Sequence, residues 1–163
     1  MKYTLFFCCL LPLAMHAQDC NLKKGKDAIT SKPTLTTGFI DLQGNTLSID
    51  ISSKEIDFFF VLTNPAVKCL NEETEITIAF EGGKLKSEFR NSGSMNCDGI
   101  FHVIFKNSIY TPSQLTKMGA KKIVSIQLTG SSPKPYIISL SPEQQQQLLA
   151  TISCVIKEAK TVL

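Results

Sequence analysis

The stretch from Ser94 to Phe105, SMNCDGIFHVIF, places a cysteine, an aspartate and a histidine close together ahead of a hydrophobic run. A histidine base next to a thiol or hydroxyl nucleophile is the arrangement that cysteine and serine hydrolases use. His102 is the only histidine after His16, so any such centre must use it. Residues an odd number of positions apart in a strand point to opposite faces, which separates Cys97 from His102. We therefore predict a structural or solvent-facing histidine, and we expect no enzyme.

Other kinds of chemistry lack their sequence patterns. Gly82-Gly83 is not part of a G-x-x-x-x-G-K-[ST] phosphate loop, and no D-x-D-x-D-G calcium loop is present. A glycosidase needs two carboxylates held in a cleft, but the carboxylates here are scattered and the chain has no tryptophan for a sugar platform. We predict no catalytic residue, no cofactor and no metal site.

Four cysteines follow the first 17 residues: Cys20, Cys69, Cys97 and Cys154. An even number of cysteines in an exported chain predicts two disulfides. Zinc would require close pairs such as C-x2-C, and a redox motif would require C-x-x-C, but the four residues lie far apart in the sequence. Their spacing leaves all three possible connectivities open.

The N-terminus is typical of a secretory signal peptide, with Lys2, an apolar run over residues 5–13 and small residues before Gln18. We predict a signal peptide over residues 1–17 and a single mature domain over residues 18–163. The apolar run is shorter than the roughly 20 residues that a transmembrane helix needs, and no later segment is long enough without charges. We therefore expect a secreted or periplasmic protein with no transmembrane segment.

The charge of the chain is small and its basic residues are dispersed. The formal net charge is +3 over 163 residues. The only basic clusters are KKGK at 23–26 and the pair at 121–122, and neither alternates with aromatic residues. A nucleic-acid interface needs a concentrated basic face. We therefore expect no nucleic-acid partner.

Alternating apolar and polar residues predict the strands. Leu47, Ile49 and Ile51 alternate with polar residues after a predicted turn at 44–45. The continuous apolar run 58–62 favours a central strand covered on both faces. Three further apolar runs predict strands at 100–105, 122–128 and 136–140.

A β-hairpin is predicted around Gly82-Gly83. Apolar and polar residues alternate before these glycines, over Ile76–Phe80, and after them, over Leu85–Phe89. Glycine takes the positive φ angles that two-residue hairpin turns demand. We predict a two-residue turn and one solvated face.

The remaining segments predict less regular structure. Ser113 to Met118 predicts one short helical turn closed by Gly119, and Asp98-Gly99 predicts a turn that starts the next strand. The segment 20–33 is polar and aperiodic, and it predicts no strand.

The chain ends in a predicted helix over residues 142–157. Ser141 is a good N-cap, Pro142 suits the first helical position, and Gln144 completes a capping box. The apolar positions form one stripe at helical spacing: Leu148, Leu149, Ile152, Val155 and Ile156. These patterns predict an α+β fold, mainly an antiparallel β-sheet of seven or eight strands folded into a sandwich or open barrel. The C-terminal helix is expected to pack on the sheet.

From about Thr74 onward, the chain resembles a group of small, secreted, uncharacterised proteins of the Bacteroidetes. The shared pattern is ITIAFEGGKLKSEFRNSGSMNCDGIFHVIF, then LTKMGAKKIVSIQL, then LSPEQQQQLLATISCVI, and its most specific feature is NCDG together with SCVI. The resemblance implies architecture and export, with no assigned activity and no catalytic residue to transfer. The joint presence of two cysteines in this pattern implies a Cys97–Cys154 disulfide, which leaves Cys20 with Cys69. Cys154 would lie about 200° from Ile152 on an ideal helix, so this pairing requires either a loosened helix or a loop that wraps its flank.

We therefore expect a non-catalytic exported domain, stabilised by two disulfides, that binds a protein or a cell-surface component. The alternative is a carrier of a small apolar ligand, suggested by Phe58, Phe59 and Phe60 if the sheet curves around a cavity. A buried apolar pocket would favour the carrier, and a solid core with an exposed apolar patch would favour a protein partner.

Overall fold

The computed structural model describes residues 20–67, 69–129 and 134–163. The predicted signal peptide over residues 1–17 lies outside these ranges, and it stays a prediction. Within them the chain forms ten antiparallel strands in two sheets and two α-helices. The strands are β1 Lys23–Lys26, β2 Pro33–Thr36, β3 Ile40–Leu42, β4 Asn45–Ile51, β5 Glu55–Val61, β6 Glu75–Phe80, β7 Lys86–Arg90, β8 Ile100–Lys106, β9 Ile123–Thr129 and β10 Tyr136–Ser139. The helices are α1 Ser113–Ala120 and α2 Pro142–Glu158, with 3-10 turns at Pro65–Val67 and Ala159–Val162. The predicted α+β class with a packed C-terminal helix is confirmed.

The first sheet has six strands in the order β1-β2-β4-β5-β8, and β3 pairs with β4 beyond the end of β2. A turn joins β3 to β4 at Gln43 and Gly44, which have φ angles of 59° and 80°, so it lies one residue before the predicted position. In β5, Phe58 and Phe60 are fully buried, whereas Phe59 is only half-buried on the outer face. The central position of β5 is confirmed, but only one of its faces is fully covered.

The second sheet has four strands in the order β10-β9-β6-β7. The predicted hairpin is formed by β6 and β7. Phe80 N donates to Leu85 O at 3.1 Å, so four residues form the connection and the predicted two-residue turn is wrong. Gly82 and Gly83 do have positive φ angles, 85° and 73°, as the turn requires.

One hydrophobic core joins both sheets and both helices. Phe58, Phe60, Phe80 and Phe101 are each no more than 1% exposed. The rings of Phe89 in β7 and Phe105 in β8 pack edge to face with centroids 5.5 Å apart, which links the two sheets directly. The fold is therefore a two-sheet sandwich with a packed interior.

The two helices pack against each other. Gly119 lies inside α1 and does not end it, because the helix continues to Ala120. Ser153 Oγ of α2 donates to Gly119 O at 2.6 Å, and a Cβ at this glycine would come within 2.5 Å of Ile156 Cδ1. Helix α2 begins with the predicted capping box: Gln144 N donates to Ser141 Oγ, and Ser141 N donates to Gln144 Oε1. The predicted bounds of α2, 142–157, differ from the observed ones by a single residue.

Two disulfides are present, Cys20–Cys154 and Cys69–Cys97. The pairing implied by the resemblance, Cys20 with Cys69 and Cys97 with Cys154, is therefore wrong. The reason lies beside the second bridge, where Leu70 and Asn96 exchange two backbone hydrogen bonds of 2.7 and 2.9 Å. This isolated pairing brings the preceding residue, Cys69, next to Cys97, with their Cα atoms 3.8 Å apart.

The first bridge follows from the position of Cys154 on α2. The helix remains regular through this residue, whose side chain lies on the flank away from the buried stripe. A segment does wrap this flank, but it is the N-terminal segment, which carries Cys20. The Cα atoms of Cys20 and Cys154 are 5.6 Å apart.

We predict that the two bridges differ in their contribution to stability. Cys20–Cys154 spans 134 residues and Cys69–Cys97 spans 28. In the chain-entropy description these loops correspond to about 5 and about 3.5 kcal/mol. Urea unfolding should therefore show a larger loss of unfolding free energy for Cys20→Ala with Cys154→Ala than for Cys69→Ala with Cys97→Ala. A larger loss for the second pair would contradict this ranking.

Gly99 provides a second stability prediction. Its φ angle is 75°, and an added Cβ would overlap the carbonyl oxygen of Leu62, whose N–H donates to Gly99 O at 2.8 Å. Gly99→Ala should lower the unfolding free energy by about 3 kcal/mol, because backbone strain and a steric clash add together. Gly82→Ala is the matched control, since its φ is 85° but nothing lies within 4 Å of the added Cβ. Equal losses for the two variants, measured by urea unfolding, would argue against the close contact.

Candidate functional site

The outer face of the six-stranded sheet carries a histidine–carboxylate pair. Strands β5 and β8 pair so that His102 lies opposite Phe59 and Ile104 lies opposite Asp57. Asp57 and His102 are therefore diagonal neighbours on one face. His102 Nδ1 and Asp57 Oδ2 share a hydrogen bond of 2.8 Å, with the two side chains 25% and 20% exposed.

The surroundings of His102 hold its ring in place. The Phe59 ring packs edge to face against it with centroids 5.1 Å apart. A Cβ on Gly93 would lie 2.8 Å from His102 Cδ2, so this glycine allows the loop to approach the ring. The loop also covers the edge of β8: His102 N donates to Asn91 Oδ1, and Ser92 N donates to His102 O, both at 3.0 Å.

The charge of Asp57 is destabilised by its position. Burial raises the pKa of the Asp57 carboxyl above its ordinary value, and the hydrogen bond and charge of His102 oppose this effect only in part. The nearby carboxylates of Asp50 and Glu55 raise the pKa further. Asp57 Oδ1 is buried and has no hydrogen-bond partner among the described residues.

The pair corresponds to the histidine and the carboxylate of a hydrolase triad. Within residues 20–67, 69–129 and 134–163, no hydroxyl or thiol group hydrogen-bonds to His102. The sulfur of Cys97 is bonded to Cys69. Ser48 Oγ lies within hydrogen-bond distance of Thr36 and Asp50.

A second candidate is an open cleft of about 830 Å³ beside helix α2. Its walls are the N-terminal segment, the break between β2 and β3, and the helix. The lining residues are Cys20, Asn21, Leu22, Lys23, Thr37, Phe39, Ile40, Gln147, Ala150, Thr151, Ser153, Cys154 and Lys157. The lining residues from α2, which run from Gln147 to Lys157, recur at spacings of three and four. They therefore share one face of the helix, beside the face that is buried in the core.

A β-bulge places Phe39 at this cleft. Thr36 pairs with Asp50 and Ile40 pairs with Leu47, so three residues, 37–39, face two residues of β4. The extra residue breaks the alternation of the strand. Thr37 secures the break, because its N–H donates to Ile49 O at 3.1 Å and its Oγ1 accepts from Ile49 N at 2.9 Å. Phe39 is consequently 74% exposed.

The cleft is electropositive. Lys23 contributes an ammonium group from the N-terminal wall and Lys157 contributes one from the helix. Among the described residues of the lining there is no aspartate or glutamate. Neither lysine forms an ion pair or a side-chain hydrogen bond within the part of the chain that the structure describes.

The contacts of the predicted site residues thus differ from those expected from the sequence. Cys97 forms a disulfide, but its partner is Cys69 and not Cys154. His102 is joined by Asp57, which sequence analysis did not identify because their contact depends on strand register. Phe58 and Phe60 pack against Phe105 and Phe101 in the core, whereas Phe59 packs against His102 on the outer face.

Among the described residues, no helix is long and apolar enough to cross a membrane, and no group of three metal-ligating side chains occurs. No protein-family model matches the chain, no curated protein is similar to it in sequence, and no solved structure matches it.

The raised pKa of Asp57 predicts a pH effect on stability. The folded state holds this proton more tightly than the unfolded state, so the associated stability is fully present below pH 3.8 and is lost as pH rises through the raised pKa. Asp57→Asn should abolish this loss. The unfolding free energy of the variant, relative to wild type, should therefore increase as the pH rises from below 3.8 through the raised pKa of Asp57. Asp98→Asn is the exposed control, and a flat difference for Asp57→Asn in urea unfolding would contradict the prediction.

Proposed function

We propose that this protein is a non-catalytic exported domain that binds a protein or cell-surface partner through the cleft beside α2. The observation that carries the proposal is Phe39, which is 74% exposed at an open cleft of about 830 Å³. The two disulfides support export, since such bonds persist in oxidising compartments. Membership in the group of secreted Bacteroidetes proteins that the sequence resembles is part of this proposal.

Phe39 is suited to act as an anchor for binding. Covering its exposed surface would contribute roughly 2 kcal/mol, and aromatic side chains often dominate the energy of interfaces. The hydrogen bonds of Thr37 hold the loop before a partner arrives. A preorganised loop loses little conformational entropy on binding, which favours affinity.

The alternative is a carrier of a small apolar ligand. The cleft volume of about 830 Å³ lies within the range of small-molecule sites. Its position also differs from the expected one, because it lies outside the sheets and against α2. The many polar lining residues favour a partner with polar groups, so we rank the carrier second.

Site-specific crosslinking tests the proposed function. A photoreactive phenylalanine analogue at position 39 should crosslink to a defined protein in the envelope or medium of the source organism, and the same analogue at Ile137 should not. Ile137 is the matched control because it is 53% exposed on the other sheet. In a pull-down with the protein lacking the analogue, Phe39→Ala should reduce capture of the same partner by about tenfold, in line with the loss of an interface anchor.

The outcome that contradicts the proposal is equal crosslinking at positions 39 and 137, or capture that Phe39→Ala leaves unchanged. The carrier alternative predicts a different result. Native mass spectrometry of the protein purified from its source would show a small bound molecule, and Phe39→Asp would remove it without changing the fold.

A further inference from the structure

We infer that the cleft binds an acidic polypeptide segment in which a carboxylate lies next to an apolar side chain. This inference rests on the proposed function and specifies the chemistry of the partner. It follows from three properties of the cleft: uncompensated positive charge, an exposed aromatic ring, and polar side chains that can bond to a peptide backbone.

The positive charge comes from opposite walls. Lys23 and Lys157 both line the cleft, and none of its described lining residues carries a carboxylate. A bound carboxylate would therefore meet two attractive charges from this part of the lining. Partly desolvated charges of opposite sign interact more strongly than fully exposed ones, so this contact would favour acidic segments over neutral or basic ones.

The neighbouring hairpin extends the positive field. Strands β1 and β2 and their turn carry Lys23, Lys24, Lys26 and Lys32, against the single carboxylate of Asp27. That carboxylate accepts bonds from Thr30 and from the Ile29 N–H, which hold it within the turn. A surface of one sign raises the rate at which oppositely charged partners associate.

The apolar and polar side chains of the lining indicate which chemical groups accompany the carboxylate of the partner. Phe39, Leu22 and Ala150 offer apolar contact that an inorganic anion or a glycan would leave uncovered. Three other lining side chains carry amide or hydroxyl groups that can bond to backbone N–H and C=O groups: Asn21, Gln147 and Thr151. This combination favours a polypeptide over an anionic lipid.

The test uses fluorescence anisotropy with a defined probe. The probe is a labelled octapeptide with four glutamates, one phenylalanine and one leucine, and its counterpart has lysine at each glutamate position. We expect the oxidised wild-type protein to bind the acidic peptide at least about tenfold more tightly than the basic one, and to bind it less tightly as salt increases.

Charge reversal identifies the residues responsible. Lys23→Glu combined with Lys157→Glu should weaken binding of the acidic peptide by at least about tenfold, and Phe39→Ala should also weaken it. Lys84→Glu is the control, because Lys84 is exposed in the β6–β7 connection of the other sheet. All four positions are accessible, and circular dichroism together with urea unfolding will show that the variants fold like wild type.

The results separate this inference from the proposed function. If position 39 crosslinks to a partner but charge reversal leaves peptide binding unchanged, the inference is overturned and the proposed function stands. Failure of the wild type to bind the acidic peptide also overturns it. If the protein binds phosphatidylglycerol vesicles but not the peptide, the inference is overturned, and the ligand of the cleft is an anionic lipid.

Discussion

The register between β5 and β8 is the constraint on which both the core and the outer face depend. With Phe60 opposite Phe101 and Phe58 opposite Val103, four large side chains point inward together. The same alignment places Asp57 diagonal to His102 on the opposite face. Because side chains alternate with a period of two, a shift of one residue would turn the phenylalanines of one strand toward solvent. The burial of these rings therefore also determines that Asp57 and His102 lie diagonally opposite each other on the outer face.

A single extra residue gives the domain its cleft. If β2 continued into β3 without a bulge, the alternation of the strand would remain regular along β4. The insertion between Thr36 and Ile40 interrupts the alternation, and Phe39 is exposed beside the helix. The break is held by Thr37 and is not a loose loop. Both candidate sites thus arise from the pairing of the same six-stranded sheet, one from its regular part and the other from its irregularity.

The parts of the fold that were predictable have local signals. Alternation in Ile76–Phe80 and the capping box at Ser141 depend on residues that are neighbours in sequence, and both were identified correctly. Strand β1 was missed because all four of its residues are exposed, so burial imposes no periodicity on them. The disulfide pairing was predicted wrongly, and the Asp57–His102 contact was not predicted, for another reason. They depend on which distant segments meet, and the bulge at Thr37–Phe39 becomes visible only when β4 is aligned with its neighbours.

The Cys20–Cys154 bond makes nearly the whole domain a covalent ring of 134-residue span. A protease that cuts one peptide bond anywhere between these cysteines therefore opens the ring but releases no fragment. The two pieces stay tethered, and the sheets that hold them together keep their interfaces at high effective concentration. This topology means that a single cut in an exposed connection, such as the one between β6 and β7, leaves the assembled domain in one piece.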